Sequence, residues 1–160
     1  KVDLSMNDMS SDADIAMMMT SKSLKTLILS KNQLGKENGA VLGKTLATNE
    51  TLEELFLEGN PLSTEFASFL LEALQLNVTL KTFGFMRSYM GKAIPSQMNT
   101  EIRNIVALNK AGRGWLRASS APNTPSSELA PLAHLLHRTR LEPSALFGVL
   151  REHTDLWVKP

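Results

Sequence analysis

Apolar residues recur along the first two thirds of the chain in a fixed grouping. Leu24, Leu27, Leu29 and Leu34 are followed, at an offset of 28, by Leu52, Leu55, Leu57 and Leu62. Both stretches read L-x-x-L-x-L-x-x-N-x-L, with Asn32 and Asn60 at the polar position. A second step of the same length reaches Leu80, Phe83, Phe85, Ser88 and Met90, which form a degenerate copy. At the front, Val2, Leu4, Asn7 and Met9 match Leu27, Leu29, Asn32 and Leu34 at an offset of 25. Side chains in a strand alternate faces, so Leu27 and Leu29 point one way while Thr26, Ile28 and Ser30 point the other. Each strand is followed by helical spacing. Gly39, Leu42 and Leu46, then Ala67, Leu70 and Leu74, then Pro95, Met98 and Ile102 each mark one helix face at i, i+3, i+7. Pro95 suits the first turn of its helix. Ile15, Ala16, Met18 and Met19 mark a shorter helix in the first unit, with the methionines as core filler. The pattern therefore predicts four strand–helix units that bury a continuous core only by stacking on one another.

This grouping resembles the leucine-rich repeat, and its period of 28 and helical second half resemble the ribonuclease-inhibitor-like subclass, over about Lys1 to Ala107. The resemblance implies an α/β fold: a short solenoid with parallel strands inside and helices outside. Asn7, Asn32 and Asn60 fall where the chain leaves each strand, and there an amide can bond backbone groups of adjacent turns in a structural ladder. Ser88 breaks that series, which suggests a terminal unit. Solvent-facing strand positions form rows across the units: Lys1, Thr26, Glu54 and Thr82; Asp3, Ile28, Phe56 and Gly84; Ser5, Ser30, Glu58 and Met86; Met6, Lys31, Gly59 and Arg87. Neighbouring strands lie about 4.8 Å apart, so each row is nearly contiguous.

Beyond Ile102 the pattern changes. Residues 1–107 read as the repeats, the first unit incomplete, and residues 108–160 as an α-helical C-terminal cap or appendage. Ala111-Gly112-Arg113-Gly114 breaks a helix, and residues 119–127 form a Pro- and Ser-rich loop. Leu129, Leu132, Leu135 and Leu136 mark one helix, and Leu146, Val149 and Leu150 another. A stack needs its last apolar face covered, so these helices are expected to close it. The rival reading is a module that recruits a second partner. The first unit begins in mid-motif, so further units or another subunit are expected at that end.

Composition narrows the function. The 160 residues are 42% hydrophobic and carry a net charge of only +1, which argues against a specific nucleic-acid binder. That balance hides an uneven distribution: 9 basic and 12 acidic residues up to Ile102, then 8 basic and 4 acidic. No apolar run approaches a transmembrane segment. There is no cysteine, which excludes disulfides and thiolate chemistry and favours a cytoplasmic or other reducing compartment, an upstream targeting sequence remaining open.

No constellation demands an enzyme, a metal or a cofactor. His134 and His137 share a predicted helix face, and two imidazoles with only His153 besides make a poor metal site. Arg113, Arg117, Arg138 and Arg140 read as a solvated cationic face. Gly112-Arg113-Gly114 lacks the phosphate-loop pattern. Glu54 and Glu58 fall on the solvent side of a strand, without the burial that tunes a catalytic pKa. The informative surface is the open face of the sheet. Ile28 beside Phe56, with Met86 near, forms an apolar patch ringed by Glu54, Glu58, Lys31 and Arg87, the composition of a protein-binding hot spot. The expected function is a non-enzymatic protein–protein interaction module that takes a protein partner, not identified by the sequence, on this concave face. The alternatives are a structural subunit docked into a larger assembly by its tail or convex helices, and a small-GTPase regulator, for which no arginine or asparagine motif is matched.

Overall fold

The computed structural model describes residues 1–85, 94–111 and 113. The expected C-terminal helices, all three histidines, Arg117, Arg138, Arg140, Ser88, and the patch residues Met86 and Arg87 lie outside the described residues.

Strands and helices alternate: β1 (Val2–Asp3), α1 (Asp12–Met19), β2 (Thr26–Ile28), α2 (Lys36–Thr48), β3 (Glu54–Phe56), α3 (Thr64–Leu76), β4 (Thr82–Gly84) and α4 (Ser96–Ala111). The strands form one parallel sheet in chain order, β1-β2-β3-β4. Leu27 is opposite Val2 on one side and Leu55 on the other, and Leu55 is opposite Phe83. Parallel strands need crossover connections of this length, and each is supplied by one helix.

The strands are very short, so the ladder is extended by loop backbone. Leu29 N–H donates to Phe56 O (2.8 Å), Lys31 N–H to Glu58 O (2.7 Å), and Leu57 N–H to Gly84 O (2.8 Å). Equivalent residues of successive units thus stay in register beyond the strand ends.

Leu27, Leu29, Leu55 and Leu57 are fully buried, in one core cluster with Leu42, Leu46, Phe66, Leu70 and Leu74 from the helices. Each such leucine contributes about 1.5–3 kcal/mol by leaving water. Thr26, Ile28, Phe56, Thr82 and Phe83 suit strands, and burial of the alternate side chains holds these short elements in place. Helix starts are capped locally. Ser11 Oγ accepts from Asp14 N–H, Ser63 Oγ from Phe66 N–H, and Asn38 Oδ1 from Gly35 N–H. Within α1, Ile15 and Met19 are buried and Met17 is exposed. α4 begins one residue after Pro95, whose carbonyl accepts from Asn99 N–H.

Helices pack closely where side chains are smallest. A Cβ on Gly43 would sit 2.8 Å from the Phe69 carbonyl oxygen, so glycine lets α2 approach α3. α4 runs through the boundary expected between residues 107 and 108: Ile105, Val106, Leu108 and Asn109 are all buried. The fourth unit therefore keeps a full helix of 16 residues.

The exit from each of the first three strands uses a left-handed residue: Met6 (φ 58°), Lys31 (φ 55°) and Gly59 (φ 76°). Glycine adopts that conformation freely, whereas Met6 and Lys31 do so at a steric cost.

Candidate protein-binding surface

The sheet face away from the core carries Thr26, Ile28, Ser30, Glu54, Phe56, Glu58, Thr82 and Gly84. All are half-buried rather than open. The cause is mutual cover between rows. Thr26 Oγ1 donates to Glu54 Oε2 (2.9 Å), and Ser30 Oγ donates to Glu58 Oε2 (2.8 Å). Both carboxylates are thus oriented by a hydroxyl of the preceding unit. Gly84 leaves room beside β3, and a Cβ there would collide with the Phe56 ring and the Glu58 carboxylate. Phe56 and Glu58 therefore lie over the backbone of β4. Glu54 and Glu58 are less solvated than their strand position alone implies, and Ile28 and Phe56 form a shallow shelf, not a protruding patch. Lys31 is exposed at the rim, its stem against Gly59.

Of the three asparagines expected to form a ladder at the strand exits, Asn32 and Asn60 bridge successive units, whereas Asn7 bonds only its own turn. Asn60, with no exposure, accepts from Asn32 N–H and Leu34 N–H at Oδ1 and donates from Nδ2 to Leu29 O and Leu57 O. Asn32 accepts from Met9 N–H and donates to Leu4 O and Leu29 O. Asn7 is exposed and only donates, to Leu4 O and Ser5 O.

A second asparagine series, absent from the sequence reading, stands at the helix exits. Asn49 and Asn77 each accept at Oδ1 from the backbone N–H groups two and three residues on. Their Nδ2 groups reach back, Asn49 to Met19 O and Asn77 to Leu46 O and Asn49 O. Asn109 continues the series onto Asn77 O and Leu80 O. The signal was present as Asn-x-Thr at residues 49–51 and 77–79. The Thr51 and Thr79 hydroxyls also bond the preceding unit, at Ser21 O and Asn49 O.

Arg113 departs from its expected place on a solvated cationic face. It is 1% exposed, and its guanidinium donates to Leu74 O (2.9 Å), to Gln75 O and to Asn109 Oδ1. It caps the last turn of α3, where carbonyls lack helical partners and the helix dipole favours a cation.

A third row along the strand starts alternates in charge. Glu53 bonds Lys25 Nζ (2.9 Å) on one side and Lys81 Nζ (2.8 Å) on the other. Lys25, Glu53 and Lys81 recur at the repeat offset in turn, so this column was legible by alignment of the units. The hydrogen bond to Lys81, then that to Lys25, hold the Glu53 carboxyl at about 2, below its ordinary value of 4.5. A depressed pKa adds stability above the unfolded value, lost as pH falls from about 4.5 towards 2. The group is exposed and screened, so the gain is small, below about 1 kcal/mol. Glu53→Gln is expected to lower stability slightly at pH 7 and to match the parent near pH 2, a convergence that urea titrations at several pH values would reveal. A gap that stays constant with pH would remove the ion pairs as its cause.

At the outer edge of β4 a groove of about 530 Å³ runs between the strand and α4. Phe83, Ile102 and Val106 line it with apolar surface, and Glu58, Lys81, Arg103 and Lys110 add charges of both signs. The Phe83 and Phe85 rings stack with centroids 5.2 Å apart.

Among the described residues, no three His, Asp or Glu side chains gather as a metal site, and no helix is long and apolar enough to cross a membrane. No protein-family model matches the chain, and comparison with curated proteins finds no match. Among solved structures, Leiomodin-1 Actin-Binding Site 2 (ABS2) is similar, with a TM-score of 0.54 over 96% of this chain and 87% of that one. At 14% identity, that likeness is one of fold alone: an α/β chain with a four-stranded parallel sheet.

Proposed function

We propose that the chain is a leucine-rich-repeat solenoid of the ribonuclease-inhibitor-like kind that acts as a non-enzymatic protein-binding module, taking its partner on the sheet face around Phe56. The repeat assignment draws support from the constant register of the strands and from the two asparagine series that bridge the units. The similar solved structure bears an actin-binding site in its name, in keeping with protein recognition by such a fold. Its low identity transfers no particular partner.

One observation carries the binding reading. Phe56 presents an aromatic ring on the sheet face opposite the core, beside Ile28 and between two carboxylates that Thr26 and Ser30 hold in place. An apolar anchor with a preordered polar rim is the arrangement of an interface hot spot, because little side-chain entropy remains to be lost on docking. The rival reading is a structural subunit docked into a larger assembly by its helical tail, which lies outside the described residues, or by its convex helices.

The test is affinity capture with the 160-residue chain, followed by a measured affinity for the captured protein. Phe56→Ala is expected to weaken that affinity by about 2 kcal/mol, roughly thirtyfold, with an unchanged circular dichroism spectrum. Glu58→Lys should weaken it as well. If both variants bind as the parent does, the sheet face is not the interface.

A further inference from the structure

Two helix exits carry the acceptor pattern for N-linked sugar, Asn49-Glu50-Thr51 and Asn77-Val78-Thr79. Asn-x-Ser/Thr is what an oligosaccharyl transferase reads, and it ordinarily lies in an accessible loop of a secreted chain. Here the acceptor nitrogens have another use. Asn77 is 2% exposed. Its Nδ2 donates to Leu46 O (2.9 Å), Asn49 O (2.8 Å) and Thr79 Oγ1 (3.1 Å). Its Oδ1 accepts from Thr79 N–H (3.0 Å) and Leu80 N–H (2.9 Å). An amide nitrogen has two hydrogens, so both are committed. The Thr79 hydroxyl, which the transferase also reads, donates to Asn49 O (3.1 Å). Asn109 closes the same loop from α4, with bonds to Asn77 O (3.0 Å) and Leu80 O (3.1 Å). Every one of these bonds runs between described residues. Asn49 is the looser of the pair: it is half-buried, and its Nδ2 donates to Met19 O (2.7 Å).

We propose that Asn77 is an N-glycosylation acceptor only in the unfolded chain, that folding closes it, and that a glycan added there first keeps α3 from seating against α2. In the transfer, Nδ2 attacks the anomeric carbon of an oligosaccharide held on a lipid diphosphate. The bond from that carbon to the diphosphate oxygen breaks, the lipid diphosphate leaves with the electron pair, and Nδ2 gives one proton to a base of the transferase. The product keeps one N–H where the native bonds use two. It also carries a sugar ring into space that Leu46 O and Asn49 O border. To let the sugar reach water, the loop must leave its place, and the carbonyls at the end of α2 then lose their partner. The native repeats therefore form where the transferase and its lipid-linked donor do not meet the chain. This inference concerns where and when the chain folds, and it does not rest on the sheet-face reading.

Two measurements test it. In the first, the purified, folded 160-residue chain is incubated with solubilised oligosaccharyl transferase and its lipid-linked oligosaccharide, beside a peptide of residues 74–82. The peptide should be glycosylated, and Asn77 of the folded chain should not. Transfer to both at equal rates overturns the closure by folding. In the second, the full chain is translated behind a cleavable signal peptide into rough microsomes and then digested briefly with trypsin. Peptide N-glycosidase converts a glycosylated Asn77 to aspartate, so mass spectrometry counts its occupancy apart from that of Asn49. Occupancy at Asn77 is expected on the undigested chains. Chains that survive trypsin should be depleted in it by about tenfold, because cleavage follows the population of open forms. Undigested chains without sugar at Asn77 overturn its role as an acceptor. Equal occupancy before and after digestion overturns the conflict between glycan and fold.

Discussion

Asn60→Ala is expected to destabilise the chain by about 4 kcal/mol, read as a shift of the urea midpoint with the slope unchanged. The side chain satisfies four backbone groups from two units: the N–H groups of Asn32 and Leu34 and the carbonyls of Leu29 and Leu57. Asn60 has no exposure, so water does not replace it without local opening. Each buried group left without a partner costs about 1–3 kcal/mol, and relaxation of the loop returns part of the sum. Asn60→Asp should be no milder, because a carboxylate keeps the acceptor but faces two carbonyls where a donor stood. Asn7→Ala is the control. Asn7 is exposed and only donates, so its loss should stay within about 0.5 kcal/mol. A loss below about 1 kcal/mol for Asn60→Ala would mean that the series follows the fold and does not hold it.

Arg113→Ala should cost about 3 kcal/mol by the same measurement. Its guanidinium is buried and reaches the carbonyls of Leu74 and Gln75 together with Asn109 Oδ1. Removal leaves the last turn of α3 without its cap and frees the amide that joins α4 to Asn77. Arg113→Lys should recover little, since one ammonium cannot span three acceptors that a planar fork meets at once. The loss should be local, and limited proteolysis should cut first near the end of α3 and in α4. Parent-like stability of Arg113→Ala would leave the capping role without energetic weight.

These two residues mark the reach of sequence reasoning. Asn60 was legible because its position repeats at a fixed offset from Asn32, and periodicity exposes whatever recurs. The strand positions, the inward leucines and the helix faces of Leu42 and Leu70 were legible for the same reason. Arg113 occurs once, after a Gly-bearing break, and its burial follows from the place in space of the last turn of α3, where it reaches Leu74, 39 residues earlier. No local pattern encodes that distance. Asn49 and Asn77 do recur, but they sit at helix exits, where asparagine is an ordinary stop signal and their reach into the preceding unit is invisible. On the candidate face, the alternation placed Ile28, Phe56, Glu54 and Glu58 on one side correctly in register. It missed that Gly84 draws Phe56 and Glu58 down onto β4, because that depends on what an absent side chain permits.

The constant separation along the sheet has a kinetic consequence. Among the described residues each strand meets its neighbour across 25 or 28 residues of chain, and none pairs with a more distant partner. Loop-closure entropy depends on that separation, so each added layer faces nearly the same barrier as the one before it. Growth from any formed pair is then a zipper with even teeth: mixed α/β in composition, yet free of the long closures that slow other parallel sheets.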